Sequence, residues 1–263
     1  MTKGKVVFLL LILYILLRAF ILEPNSLSVT KYQVQSKELS GVKIAFLTDF
    51  HFKKRDYKRL NKVVQLTKKQ KPDLVLIGGD YAREQDNSKN MDIKLVASKL
   101  SLINVPIYSV LGEADWYADG KKIAKDLKDN GVHVLENSAR RIVIKRRYLD
   151  IIGIADLTAR QPDISKALYK TRKPRILVTH NPDIYYDIMD EVTLILAGHT
   201  HGGQFVIPFT PALFVPSKFG AEFASGVIAT NHNKMIVSKG IGTTGFPIRL
   251  NCVPEIIVVE FID

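Results

Sequence analysis

The first apolar stretch of the chain differs in kind from all that follow. Val6 to Leu17 is unbroken, Arg18 interrupts it, and Ala19-Phe20-Ile21-Leu22 resumes it before Glu23-Pro24. As a helix it would span about 18 Å through Leu17 and about 25 Å through Leu22, against roughly 30 Å of bilayer hydrocarbon. Beyond it, short apolar runs alternate with amphipathic segments, the pattern of α/β organisation. The runs Val42 to Thr48, Leu74 to Gly78, Ile107 to Leu111, Ile176 to Thr179 and Thr193 to Ala197 are rich in Val, Ile and Leu, as strands covered on both faces require. Leu60, Val63, Val64 and Thr67 share one face of a predicted helix, and Ile93, Val96, Ala97, Leu100 and Ile103 keep helical spacing in a second.

The residues after each run carry the chemistry. The five runs lead into Asp49-Phe50-His51, Gly79-Asp80, Gly112-Glu113, His180-Asn181 and Gly198-His199-Thr200-His201. Ligands of open α/β sheets gather at the carboxyl ends of strands, so these termini are expected to converge in one cleft. A mixed set of His and carboxylates suits manganese, zinc or iron. The single cysteine, Cys252, excludes an internal disulfide and a cysteine-based zinc site. His133 and His232 lie in polar, turn-like settings and are expected to be solvated.

Length and charge narrow the class. The 263 residues suffice for one domain with an appendage, and 46% hydrophobic with 24% charged residues describes a packed globular chain. Lys and Arg number 38 against 26 Asp and Glu, a formal charge of +12 that favours anionic partners. No zinc-finger, RNA-recognition or basic-zipper signature is present, so no specific nucleic-acid partner is expected.

The apolar amino terminus, residues 1–22, is expected to be a transmembrane or membrane-anchor helix, with Arg18 snorkelling to the headgroups. A cleaved signal peptide and an interfacial or core-packed helix remain as alternatives, although no convincing small-x-small cleavage site is present. Basic residues flank both ends, Lys3 and Lys5 before and Arg18, Lys31 and Lys37 after, so the membrane side stays open. Residues 23–40 are expected to form a linker and entry segment, and 41–263 the catalytic domain.

In this order, the motif residues resemble those of the calcineurin-like metallophosphoesterase family. Asp49-Phe50-His51 is similar to its D-x-H motif, Gly79-Asp80 to its G-D, Thr179-His180 to its lone-histidine motif, and Gly198-His199-Thr200-His201-Gly202-Gly203-Gln204 to its G-H-x-H-G-G-Q ending. The tail from Gly240 through Glu255 resembles a membrane-associated bacterial branch that includes phosphodiesterases acting on lipid or cell-envelope substrates. The resemblance implies an αββα sandwich of two mixed sheets flanked by helices. It also implies two divalent metal ions, manganese foremost: one held by Asp49, His51 and His201, a second by His180 and His199, and Asp80 bridging them. Asp49 and Asp80 are the implied catalytic residues.

The third motif departs from the family pattern. Where the family shows G-N-H-[D/E], with a metal-binding Asn and a phosphate-contacting His, this chain reads Gly112-Glu113-Ala114-Asp115. Glu113 is expected to replace the Asn as a metal ligand, whereas Ala114 can donate no proton. Esters with poor leaving groups are therefore disfavoured relative to pyrophosphate bonds.

Two further features bear on substrate. Pro208 to Phe219 is unusually apolar, and its Phe209 and Phe214 either contact acyl chains or pack over the sheet edge. Arg249 either pairs with a substrate phosphate or bonds a loop carbonyl. The resulting expectation is hydrolysis of a phosphodiester or pyrophosphate bond on a lipid-linked or cell-envelope substrate, such as a nucleotide-linked lipid A precursor, at the bacterial cytoplasmic membrane. A soluble-nucleotide phosphodiesterase and a membrane-tethered metal- or phosphate-binding scaffold are the alternatives.

Overall fold

The computed structural model describes every residue except 1, 84, 86, 87 and 231. In chain order the helices are α1 (Lys3–Leu17), α2 (Glu23–Asn25), α3 (Tyr57–Lys69), α4 (Ile93–Ser101), α5 (Glu113–Asp129) and α6 (Ile164–Leu168). The strands are β1 (Ser28–Gln35), β2 (Lys43–Leu47), β3 (Leu74–Ile77), β4 (Ile107–Ser109), β5 (Val132–Val134), β6 (Ser138–Ile144), β7 (Arg147–Gly153), β8 (Arg175–Val178), β9 (Leu194–Ala197), β10 (Gly226–Ala229), β11 (Lys234–Val237) and β12 (Glu255–Ile262).

They form two six-stranded mixed sheets, ordered β1-β12-β2-β3-β4-β5 and β10-β11-β9-β8-β7-β6. Within the first, β2, β3, β4 and β5 are parallel, β12 runs antiparallel to β2, and β1 runs parallel to β12. The second has a parallel centre, β7-β8-β9-β11, with antiparallel strands at both edges.

Alternation of side chains across the pleat explains the continuous apolar runs. On β2 and β3, Ala45, Leu47, Val75 and Ile77 face the layer of α3, α4 and α5, while Ile44, Phe46, Leu74 and Leu76 face the second sheet. The second sheet sends Ile151, Ile176, Leu194 and Ile236 into that same central layer. Its outer face is covered by α6 and by short helical turns at Pro182–Asp187 and Gly220–Phe223, thinner cover than the first sheet receives. The four-layer arrangement read from the sequence is present, and the residues expected on the buried faces of α3 and α4 are there.

The amino-terminal helix extends beyond Leu22. A π-helical turn over Arg18–Leu22 joins α1 to α2, making a 23-residue helix from Lys3 to Asn25, about 34 Å long at 1.5 Å per residue. No residue of α1 is buried, so its apolar surface is exposed over its whole length. By length and composition this helix can cross a bilayer. Residues 23–40, expected as a linker and entry segment, contain β1, which joins the first sheet paired residue for residue with β12 from Ser28↔Glu255 to Gln35↔Ile262. A polar-alternating edge strand whose partner lies more than two hundred residues away leaves little local trace in sequence.

Candidate metal centre

The carboxyl ends of β2, β3, β8 and β9 lie side by side, and the turns leaving them deliver the donor side chains. Asp49, His51, Asp80, His199 and His201 all have left-handed backbone, with φ of 54°, 43°, 54°, 72° and 52°. Non-glycine residues occupy this region at a cost of roughly 1–2 kcal/mol each. Such clustering means that tertiary packing holds the turns in place, and it is typical of sites where side-chain aim matters more than local comfort. Packing is correspondingly tight: a Cβ added to Gly112 would lie 2.2 Å from Asp80 Oδ1 and 2.6 Å from His180 Nδ1.

Among the described residues, two separate groups of donors result, joined by a third, Asp49, Asp80 and His180, that overlaps both. Asp49, His51 and His201 form the first, and Glu113, His180 and His199 the second, each with one ligand atom per residue lying within 4.8 Å of the others. In the first, His51 Nε2 is 3.1 Å from His201 Nε2, and His201 Nε2 is 3.8 Å from Asp49 Oδ1. In the second, Glu113 places one oxygen 2.8 Å from His180 Nε2 and the other 2.9 Å from His199 Nδ1. Asp80 lies between them, with Oδ2 at 3.3 Å from His51 Nε2 and 3.5 Å from His180 Nε2. All of the residues proposed from sequence as metal ligands are thus gathered at one centre.

The donor set fits divalent cations. His51 Nδ1 lies 2.8 Å from the Ala82 carbonyl and His180 Nδ1 2.7 Å from that of Gly78. Each ring nitrogen donating outward leaves the Nε2 lone pair aimed into the centre, the usual arrangement around ligating histidines. Glu113 Oε2, His180 Nε2 and His199 Nδ1 are buried close together but lack hydrogen-bond geometry toward any partner. Converging atoms that approach without bonding suit a shared cation.

Electrostatics points the same way. Burial, reinforced by Glu113, Asp115 and Asp49 against the opposing pull of His180, pushes the Asp80 carboxyl well above its usual range, and burial raises that of Asp49. Burial alone would depress His180, but Asp80 and Glu113 outweigh it and raise its pKa. Burial holds His51 down at about 3, so it is a neutral donor at physiological pH. Three carboxylates gathered in one buried space need positive charge to remain ionised together.

Two residues outside the expected ligand set position it. Asp115, fully buried, accepts the backbone N–H groups of Asp80, Ala82 and Gly112 at 2.9, 2.9 and 3.2 Å, tying the β3 turn to the start of α5. The signal available in sequence is an acid at the third residue of a helix after glycine. Arg249, 0% exposed, donates to the carbonyls of His201, Cys252, Lys239 and Gly242. Of its two expected roles, this geometry is that of the loop brace and corrects the substrate-phosphate contact: a fully buried guanidinium bonded to four carbonyls is not open to a substrate.

Phe209 and Phe214 lie far out on the surface, 107% and 76% exposed, rather than packed over the sheet. His133 stacks on Tyr108 with centroids 4.8 Å apart, and His232 is exposed, both away from the donor groups. A cavity of about 770 Å³ bounded by Asn137, Pro162 and Met189 contains none of the metal donors.

The chain matches the family profile described as "Calcineurin-like phosphoesterase" over residues 42–203. It is 32% identical over 228 residues to "Phosphodiesterase YaeI" of Escherichia coli (strain K12), covering 84% of this chain and 82% of that protein. An "Uncharacterized metallophosphoesterase" of Aquifex aeolicus (strain VF5) is 30% identical over 257 residues, 90% of this chain and 93% of its own. Among solved structures, that of TT1561 from Thermus thermophilus superposes with a TM-score of 0.50 at 13% identity, over 77% of this chain and 91% of its own.

Proposed function

This chain belongs to the calcineurin-like phosphoesterase family and is a metal-dependent phosphoesterase, and from that premise we propose that it hydrolyses a phosphodiester or pyrophosphate bond of a membrane-resident substrate. In this reading Asp49, His51 and His201 would hold one divalent cation and Glu113, His180 and His199 a second, with Asp80 a donor available to both. The observation that carries it is Asp80 Oδ2, 3.3 Å from a donor of the first group and 3.5 Å from one of the second.

Divalent cations supply charge neutralisation for phosphoryl oxygens and lower the pKa of water. The protein's own residues set the geometry. Ala114 N–H donates to Asp80 Oδ1 at 3.0 Å, fixing the carboxylate so that Oδ2 faces both donor groups. Outward hydrogen bonds fix the ring orientation of His51 and His180. Glu113 fills the place of the family's Asn with two oxygens, one toward each histidine of its group. Ala114 leaves no imidazole to protonate a departing alkoxide. This favours a leaving group that departs unaided, and so a pyrophosphate bond or an activated ester.

The lipid reading draws on the exposed apolar helix from Lys3 to Asn25, read as a membrane anchor, and on Phe209 and Phe214 standing out from the surface. A nucleotide-linked lipid A precursor is the most concrete candidate substrate, and manganese the proposed cation. The domain proper would then begin at β1.

The test is hydrolysis of bis(p-nitrophenyl) phosphate by the full chain in detergent, with and without added manganese. Turnover that needs the metal and vanishes in Asp80→Asn is expected. Metal-independent turnover that survives the substitution would refute the dinuclear assignment.

A further inference from the structure

The amino-terminal helix is stitched to the catalytic domain at its inner end. The backbone N–H of Arg249 donates to the Ala19 carbonyl at 2.9 Å, and that of Cys252 to Glu23 Oε2 at 3.1 Å. Glu23 is only 5% exposed and also binds the Arg18 guanidinium. The Arg59 guanidinium donates to the carbonyls of Pro24 and Ile241, joining the helix end to the turn after β11. Arg249, which receives the helix through its backbone, braces His201 through its side chain. The end of the helix is therefore hydrogen-bonded to the same loop whose Arg249 braces His201, which sets the membrane-helix end beside the metal centre.

Between the two lies a cleft of about 390 Å³. Phe20 and Pro24 of the helix end form its apolar side, and His51 of the first donor group borders it. Lys53, Arg55, Arg59 and Arg83 are its basic residues and Asp56 its one acid, while Phe50, Phe52 and the segment from Gly242 to Pro247 contribute to the rest of the wall. Asp56 is engaged, accepting the backbone N–H of Lys53 at 2.8 Å. Arg83 donates to the carbonyls of Thr243 and Gly245, which holds its guanidinium at the rim. Arg55 is exposed. A cavity that is aromatic where it meets a membrane helix, cationic within, and open to a phosphoesterase centre has the chemistry of an anionic amphiphile's headgroup.

We infer that this cleft is the headgroup pocket of the substrate site. It takes the phosphate-bearing headgroup of a lipid whose acyl chains stay in the bilayer, and it presents that headgroup to the metal centre past His51. The inference rests on the membrane phosphohydrolase reading above and adds to it where the substrate enters and which side chains select it.

The test uses the full chain in phosphatidylcholine nanodiscs and reads binding apart from turnover. CDP-diacylglycerol in the disc is the lipid probe, and CDP in solution is the same headgroup without its lipid. The lipid probe is expected to bind roughly tenfold more tightly than CDP. Arg55→Glu is expected to weaken it by about tenfold, the scale of one charge-assisted contact, and Arg55→Lys to restore it to within about twofold. Because Arg55 is exposed, both variants are expected to fold, which their unfolding midpoints check. Indifference to Arg55→Glu, or CDP binding as tightly as its lipid, overturns the inference.

Hydrolysis of bis(p-nitrophenyl) phosphate by unsubstituted discs keeps the two readings apart. Discs that cleave it yet show no Arg55 effect retain the enzyme and lose the pocket. Discs whose lipid binding depends on Arg55 yet cleave nothing retain the pocket and lose the enzyme.

Discussion

The two donor groups each place a histidine nitrogen within 3.5 Å of Asp80 Oδ2 but are built differently. Asp49, His51 and His201 are buried to within a few per cent, all three have left-handed backbone, and each is held from outside: Asp49 by the His199 N–H, His51 by the Ala82 carbonyl, and His201 by Arg249 beneath its own carbonyl. In the second group, the side chains of Glu113 and His199 retain 20% and 11% exposure, and Glu113 stands at the first turn of α5. Among the donors, the residue that departs from the motif the sequence resembles, Glu113, belongs to the second group. The enclosed group has little freedom to change without loss of packing, whereas Glu113 and His199, being less enclosed, can be altered with less repacking.

Loss of the shared carboxylate should abolish the distinction. Asp80→Asn is expected to lower turnover of an activated phosphodiester by on the order of 10³-fold, with metal loss from both groups measured by mass spectrometry of the intact protein. A variant retaining both cations and near-normal turnover would mean that Asp80 is not shared.

Gly112→Ala comes next, because its Cβ would meet Asp80 Oδ1 at 2.2 Å and displace the spanning side chain directly. About 10²-fold loss of turnover is expected, together with about 2 kcal/mol of destabilisation in urea unfolding. Unchanged turnover would place the working position of Asp80 elsewhere. Stepwise chelation sharpens the comparison: the cation of the more open second group should leave first, seen as two resolved phases in metal release. A single cooperative phase would count against separate halves.

The smallest effect is expected for Glu113→Asn, which keeps one oxygen donor and removes a negative charge. Turnover should stay within about fivefold of the unsubstituted chain. A loss as large as that of Asp80→Asn would show that both Glu113 oxygens are needed. Anomalous scattering that places no metal beside this carboxylate would remove Glu113 from the ligand set.

Legibility in the sequence followed distance along the chain. The central strands were readable because both faces are covered, and the ligand turns because each immediately follows such a strand. Asp115 was obscured because its three backbone partners lie on two different turns. Arg249 stayed ambiguous for the same reason: nothing near it in sequence reveals that carbonyls of residues 201, 239 and 242 will close around its guanidinium. The seating of Glu23 against Cys252 depends on a contact spanning 229 residues, and no local pattern encodes it.

The insertion of β12 between β1 and β2 also governs the order of assembly. Synthesis produces β1 and β2 some two hundred residues before Glu255 to Ile262, the strand that both must pair with. Until β12 has been made and inserted, β1 has no neighbour and β2 keeps an open edge, so loss of that strand would leave two unpaired edges where the first sheet should be continuous.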